Sequence, residues 1–184
     1  PATTEIYTLS LHDALPIFIV TVLSIGGGYL PKLFVEKRGM NPYAGRMRAM
    51  LMFAFVPILA LFAQPLGVHS PWWPAVIIGL AGAAHQAWSA NLYSTIGDMF
   101  PSSTVASIVG IGTMAGGISS YLINAGAGEL FYYAGEQGAA FTFLDFEGKP
   151  AGYMIVFCIC AVSYLLAWGD IKLLVPRYKK IEID

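Results

Sequence analysis

The sequence predicts an all-α integral membrane protein with five transmembrane helices. Three observations carry that expectation. Hydrophobic residues make up 57% of the 184-residue chain and charged residues 11%, where a typical soluble domain is about 25% charged. The mean hydropathy of +0.64 means more apolar surface than a chain of this size can bury on itself. The 100 residues between Arg48 and Lys149 contain no lysine or arginine, and a long apolar stretch free of basic residues, with basic flanks, reads as membrane topology under the positive-inside rule.

A helix needs about 20 apolar residues to cross the hydrocarbon core, and five stretches meet that length. The first runs from Ala14 to Val35 and is rich in β-branched and small residues. The second runs from Ala49 to Gly67, with Pro57 inside it; a kink is expected there, since neighbouring helices can satisfy the freed carbonyl. The third, Trp72 to Gly97, opens between Pro71 and Pro74 with Trp72 and Trp73 at interfacial depth. The fourth, Ser102 to Gly128, follows Pro101, which is expected in the first turn, where a missing N–H costs nothing. Ser102 and Ser103 are placed to cap it. The fifth runs from Ala151 to Gly169.

The connections alternate in charge. Glu36, Lys37, Arg38, Arg46 and Arg48 fill the first, and the second has no basic residue. A tight turn around Asp98 forms the third. The fourth, from Glu129 to Pro150, carries four acidic residues against Lys149 alone, and the tail after Gly169 carries Lys172, Arg177, Lys179 and Lys180. Alternation then puts every strongly basic segment, and with the basic tail the C-terminal residues 181–184, on the cytoplasmic side of a plasma (inner) membrane.

Residues 1–16 do not fit this pattern. They are polar and lack the basic start of a signal peptide, and the string from Thr3 to Ile17 resembles translated adaptor sequence. This segment is therefore expected to be a non-native extension, which removes His12 and Asp13 from functional consideration.

Two motifs carry a family resemblance. The first joins Gly26-Gly27-Gly28-Tyr29-Leu30-Pro31, Glu36-Lys37-Arg38-Gly39 and Gly45-Arg46-Met47-Arg48. It resembles the glycine, acidic and basic signature between neighbouring helices in major facilitator superfamily transporters. The second joins His85 to Tyr93, then Gly97-Asp98-Met99-Phe100-Pro101, then Val109 to Gly117. It is similar to helices ten and eleven of the hexuronate and galactonate transporters in the anion:cation symporter family. The resemblance covers residues 17–180 and implies that the five spans are helices eight to twelve of a twelve-helix fold. Helices one to seven would then lie outside this chain. It further implies proton-coupled uptake of a hexuronate or aldonate by alternating access, in partnership with the absent half and the lipid bilayer. A different organic anion, a neutral sugar or a non-transporting membrane scaffold are the alternatives.

The residues themselves offer candidate contacts. At about 100° per residue, Gly82, His85, Gln86, Ser89, Tyr93 and Gly97 share one arc of roughly 120° on the third span, with Trp88 and Asn91 on adjoining faces. Such a stripe packs helices through small and polar residues, or it lines a cavity where hydroxyl, amide and imidazole groups bind a polyhydroxylated ligand and an indole stacks on it. Ionisable groups inside a span are costly and usually functional. The fourth span gives a similar arc through Gly110, Thr113, Gly117, Ser120 and Asn124, from which Thr113 and Asn124 are candidate ligand contacts. Glu36, Lys37, Arg38, Gly45, Arg46 and Arg48 serve as a topology anchor, and the resemblance adds a gating role. Asp98 is expected at a helix end, not in proton coupling.

Other chemistry is not visible. Cys158 and Cys160 point to different helix faces and read as buried packing residues. The chain has no phosphate-binding glycine loop, nucleophile triad or metal-spaced cluster, so enzymatic activity, a cofactor, a metal and nucleic-acid binding are not expected. No lysine or arginine occurs in the last four spans. The cation that a sugar-acid carboxylate needs would then come from the absent half.

Overall fold

The computed structural model describes residues 11–181, with the side chains of 11–13 and 15 left aside. The expected extension at 1–16 therefore falls outside the described residues over 1–10, and the tail at 181–184 over 182–184. Six α-helices follow in order: α1 Leu11–Arg38, α2 Pro42–Phe55, α3 Ala63–Gly67, α4 Trp72–Met99, α5 Ser102–Gln137 and α6 Lys149–Leu174. A 3-10 segment, Val56–Phe62, joins α2 to α3.

Local chemistry sets the boundaries. Gly39 ends α1 at φ +61 while its N–H bonds the Val35 carbonyl at 3.0 Å, a left-handed helix stop that glycine adopts without a Cβ penalty. Asn41 then starts α2: its Oδ1 accepts from Ala44 N at 2.7 Å, and Pro42 takes the first turn. The second span thus begins seven residues before Ala49. Pro57 does more than kink it, since the helix tightens to 3-10 geometry from Val56 to Phe62. Pro101 sits one position earlier than expected, as the residue preceding α5, and no side chain caps that end.

Four helical stretches are long and apolar enough to cross a membrane: Pro16–Arg38, Pro42–Gly67, Ser102–Ala140 and Lys149–Leu174. The chain is thus an all-α protein compatible with a multi-pass membrane fold. The stretch expected as the third of five spans forms α4, whose 28 residues reach about 42 Å at 1.5 Å per residue. Length is not what separates it from the other four; His85, Gln86 and Asn91 dilute its apolar character.

The fourth connection is shorter than expected. Glu129 and Glu136 lie on α5, which continues to Gln137. Beyond it, Thr142–Phe143 (β1) pairs antiparallel with Phe146–Glu147 (β2). Leu144 at φ 46 and Asp145 at φ 64 make the turn, the double positive φ that matches the twist of a two-residue hairpin.

Packing centres on α4. Three glycines let α1 approach it. A Cβ on Gly27 would fall 2.5 Å from Ala87 Cβ, one on Gly82 2.7 Å from Val20 Cγ2, and one on Gly79 3.2 Å from both Ile19 and Pro16. Gly82, expected in the polar stripe, is thus a close-approach point against α1. The core at the other flank gathers Tyr43, Met47, Met50, Trp88 and Met99, with Tyr164 and Trp168 of α6 packed on it. By contrast, every residue of α5 from Gly110 to Gly126 is exposed, and α5 meets α6 where Gly152 rests on Leu130, Phe131 and Ala134.

Candidate functional site

The polar residues of α4 divide between two environments. His85 and Trp88 turn towards α6. His85 Nδ1 shares a short hydrogen bond with the Tyr164 hydroxyl, and its ring meets the tyrosine edge-on at 6.0 Å. Trp88 meets the same tyrosine at 5.6 Å with an interplanar angle of 80°. Only 8% of Trp88 is exposed, and its buried Nε1 has no hydrogen-bond partner among the described residues. Asn91 is 2% exposed and returns its amide to the Ala87 carbonyl at 2.8 Å, while the Thr95 hydroxyl bonds the Asn91 carbonyl. These bonds satisfy polar groups within α4, as buried groups require.

Gln86 and Tyr93 lie in the other environment. Both are exposed, Tyr93 to 45%, and Ser89 is half-buried. On α5, Thr113 and Asn124 are exposed; Asn124 donates to the Ser120 carbonyl at 2.8 Å and to its hydroxyl at 3.3 Å. The face holding Gln86 and Tyr93 on α4, and the middle of α5, therefore each present uncharged amide and hydroxyl groups on otherwise apolar helices. Such groups can hydrogen-bond a polyhydroxylated ligand; they supply no charge to an anionic one.

The basic end forms a second cluster. Arg46 Nε on α2 reaches Asp98 Oδ2 on α4 at 2.9 Å, both side chains part-buried. Asp98 is thus the partner of Arg46, a pairing that no sequence spacing announces, since 52 residues separate them. Gly45 makes room beside it: an added Cβ would lie 3.1 Å from the Pro31 carbonyl oxygen and 3.2 Å from Val35 Cγ2. Glu36 pairs with Lys32 at 3.6 Å. Arg38 lies over the Phe34 ring at 5.7 Å. Lys37 and Arg48 are exposed. Trp168 Nε1 on α6 donates to the Met47 carbonyl at 2.8 Å, so α6 joins this end as well.

Tyr164, Trp168 and Tyr43 carry these inter-helix contacts, and sequence reading did not single them out. They are aromatic residues among many on apolar helices, with nothing local to mark the ones that reach a partner. Cys160 is exposed, not buried as expected, and Cys158 is half-buried; both are free thiols.

Taken together, the described residues define an all-α bundle with membrane-compatible helices, a neutral polar face and a charge-paired basic end. No protein-family model matches the chain, and no curated protein or solved structure matches it either.

Proposed function

We propose that this chain is the substrate-recognition portion of a secondary transporter, resembling the second half of a major facilitator, that carries a hexuronate or aldonate with a proton. In this reading α4 is a fifth spanning helix, the bundle lies in a plasma (inner) membrane, and its basic end and tail face the cytoplasm. The observation that carries the proposal is the exposure of uncharged polar side chains, Gln86 and Tyr93 on α4 and Thr113 and Asn124 on α5, on two helices of membrane length. Polar side chains at such depth face a bundle interior or a wet cavity, not lipid. The same placement favours a packing role for Trp88 and Asn91, which are buried, and leaves His85 at the boundary through its bond to Tyr164.

The substrate carboxylate would find its cation on helices beyond this chain, because the one hundred residues between Arg48 and Lys149 hold no lysine or arginine, and the resemblance puts the proton-coupling acids there as well. A half-site of this kind fits alternating access, in which the ligand binds near the midplane between two bundles.

Uptake in proteoliposomes tests the reading, with the chain joined to the seven helices that the resemblance implies. A proton gradient should drive glucuronate or galacturonate uptake. Gln86→Ala should weaken apparent affinity by roughly five- to tenfold, the cost of about one hydrogen bond, with unchanged abundance. Failure to carry any sugar acid sinks the proposal. Normal affinity with collapsed abundance would move Gln86 from the site to the packing.

A further inference from the structure

We propose that the segment from Val175 to Ile181 is a latch that holds the basic end of the bundle closed. It leaves α6 and crosses to the α4–α5 turn. Three contacts fasten it: the Tyr43 hydroxyl of α2 donates to the Val175 carbonyl, the Tyr178 hydroxyl donates to the Asp98 carbonyl at 3.1 Å, and Ile181 N–H donates to the Met99 carbonyl at 2.8 Å. The Tyr43 and Tyr178 rings face each other at 6.5 Å. Lys172 steadies the start of the segment, bonding the Pro176 carbonyl at 2.8 Å and lying 5.5 Å above the Tyr43 ring.

Two features separate a latch from ordinary packing. First, only Val175 packs on the core; beyond it the segment does not rest on a filled core. Lys180 and Ile181 form one wall of a cavity of about 540 Å³ whose other walls are Gly97, Asp98, Phe100, Pro101 and Ser102, and residues 176–180 are exposed. A strap over a void is held by a few discrete bonds and can lift without opening a packed interface. Second, the latch and the α2–α4 ion pair meet on one residue. Asp98 gives its carboxylate to Arg46 and its carbonyl to Tyr178. Separation of α2 from α4 moves the anchor of the latch, and release of the latch removes a tie across the same end. Coupling of this kind is reciprocal. The latch does not depend on what the chain transports.

The test places one reporter cysteine at a time in the described chain, with Cys158 and Cys160 replaced by serine, in lipid nanodiscs. Met99→Cys reports the latched end and keeps the carbonyl that Ile181 bonds. Ala134→Cys, fully buried near the α5–α6 hairpin, reports the far end. Truncation after Pro176 should raise the rate of thiol labelling at position 99 by roughly fivefold or more, the lower range of inter-site coupling, and leave position 134 unchanged. Tyr178→Phe removes a single hydroxyl and should act in the same direction by a smaller factor, which keeps the question answerable if the truncated chain unfolds. In reverse, Arg46→Ala should speed hydrogen exchange at the Ile181 amide. An unchanged rate at position 99 in Tyr178→Phe, or equal acceleration at both reporters, would overturn the latch.

Discussion

Gly27 separates two roles that its neighbours in the Gly26-Gly27-Gly28 run would otherwise blur. A Cβ at Gly27 meets Ala87 Cβ at 2.5 Å and Phe53 Cζ at 3.1 Å, whereas Gly26 and Gly28 have nothing within 4 Å. Ala87 is short and rigid, so α1 must move away from α4 to admit an alanine. Gly27→Ala should therefore destabilise the bundle by about 1–3 kcal/mol, the usual cost of overpacking. Gly26→Ala and Gly28→Ala should be neutral or favourable by up to about 1 kcal/mol, from helix propensity alone. Thermal unfolding in detergent distinguishes the three; equal effects would mean that the close approach is not a determinant. The same scale explains why Trp88 and Tyr93, five residues apart on one helix, part company. Trp88 finds an aromatic partner on α6, and Tyr93 remains exposed.

At the scale of elements, α2 and α4 are joined at one end by a charge pair. Arg46 and Asp98 have side chains 23% and 35% exposed, so solvent screens part of their attraction, and about 1 kcal/mol is the appropriate magnitude. A double-mutant cycle of Arg46→Ala with Asp98→Ala should return a coupling near that value. The same cycle with Arg48→Ala should return none, because the Asp98 carboxylate meets Arg46 while Arg48 is exposed. Coupling at Arg48 equal to that at Arg46 would mean that the basic cluster acts through general charge and not through this contact. The pair gives the segment at 45–48 a specific structural role, fixing the end of α2 against α4. A topology anchor alone would need only the charges, in any geometry.

At the scale of the whole molecule, the ends of the bundle differ in charge. Lys37, Arg38, Arg48, Lys172 and the exposed tail cations gather at one end, while Glu136, Asp145 and Glu147 lie around the hairpin at the other. In the proposed orientation, cysteines at positions 38 and 145 should label from opposite sides of intact cells, position 145 from outside. Labelling of both from one face would overturn the orientation. The exposed middle of α5 belongs to this scale too. Its 36 residues extend about 54 Å, longer than a hydrocarbon core of about 30 Å, and its surface from Gly110 to Gly126 touches little of the bundle. In the proposed transporter this surface would face the second helical bundle.

Composition and charge alone were enough to reach an all-α, membrane-compatible chain, because hydropathy and helix length are properties of contiguous residues. The helices α1, α4 and α6 fall close to their expected places for that reason, and Gly39 and Pro42 punctuate the chain through local backbone limits. The onset of α2 at the Asn41 cap was also locally written and was missed. Other missed boundaries are set by what lies beyond the local run: the 3-10 stretch around Pro57 depends on how the freed carbonyls are satisfied, and the reach of α5 to Gln137 on the hairpin that follows it. The candidate residues were legible as a polar stripe, but not its division. Periodicity gives the angle of His85, Trp88 and Gln86 around a helix axis and says nothing of which neighbour stands at that angle. Only the tertiary structure put Tyr164 beside His85 and Trp88, Asp98 beside Arg46, and Tyr178 across the end of α4. Those partners lie 52 to 80 residues apart in the chain, and a contact over such a separation is set by how helices pack, which no local pattern records.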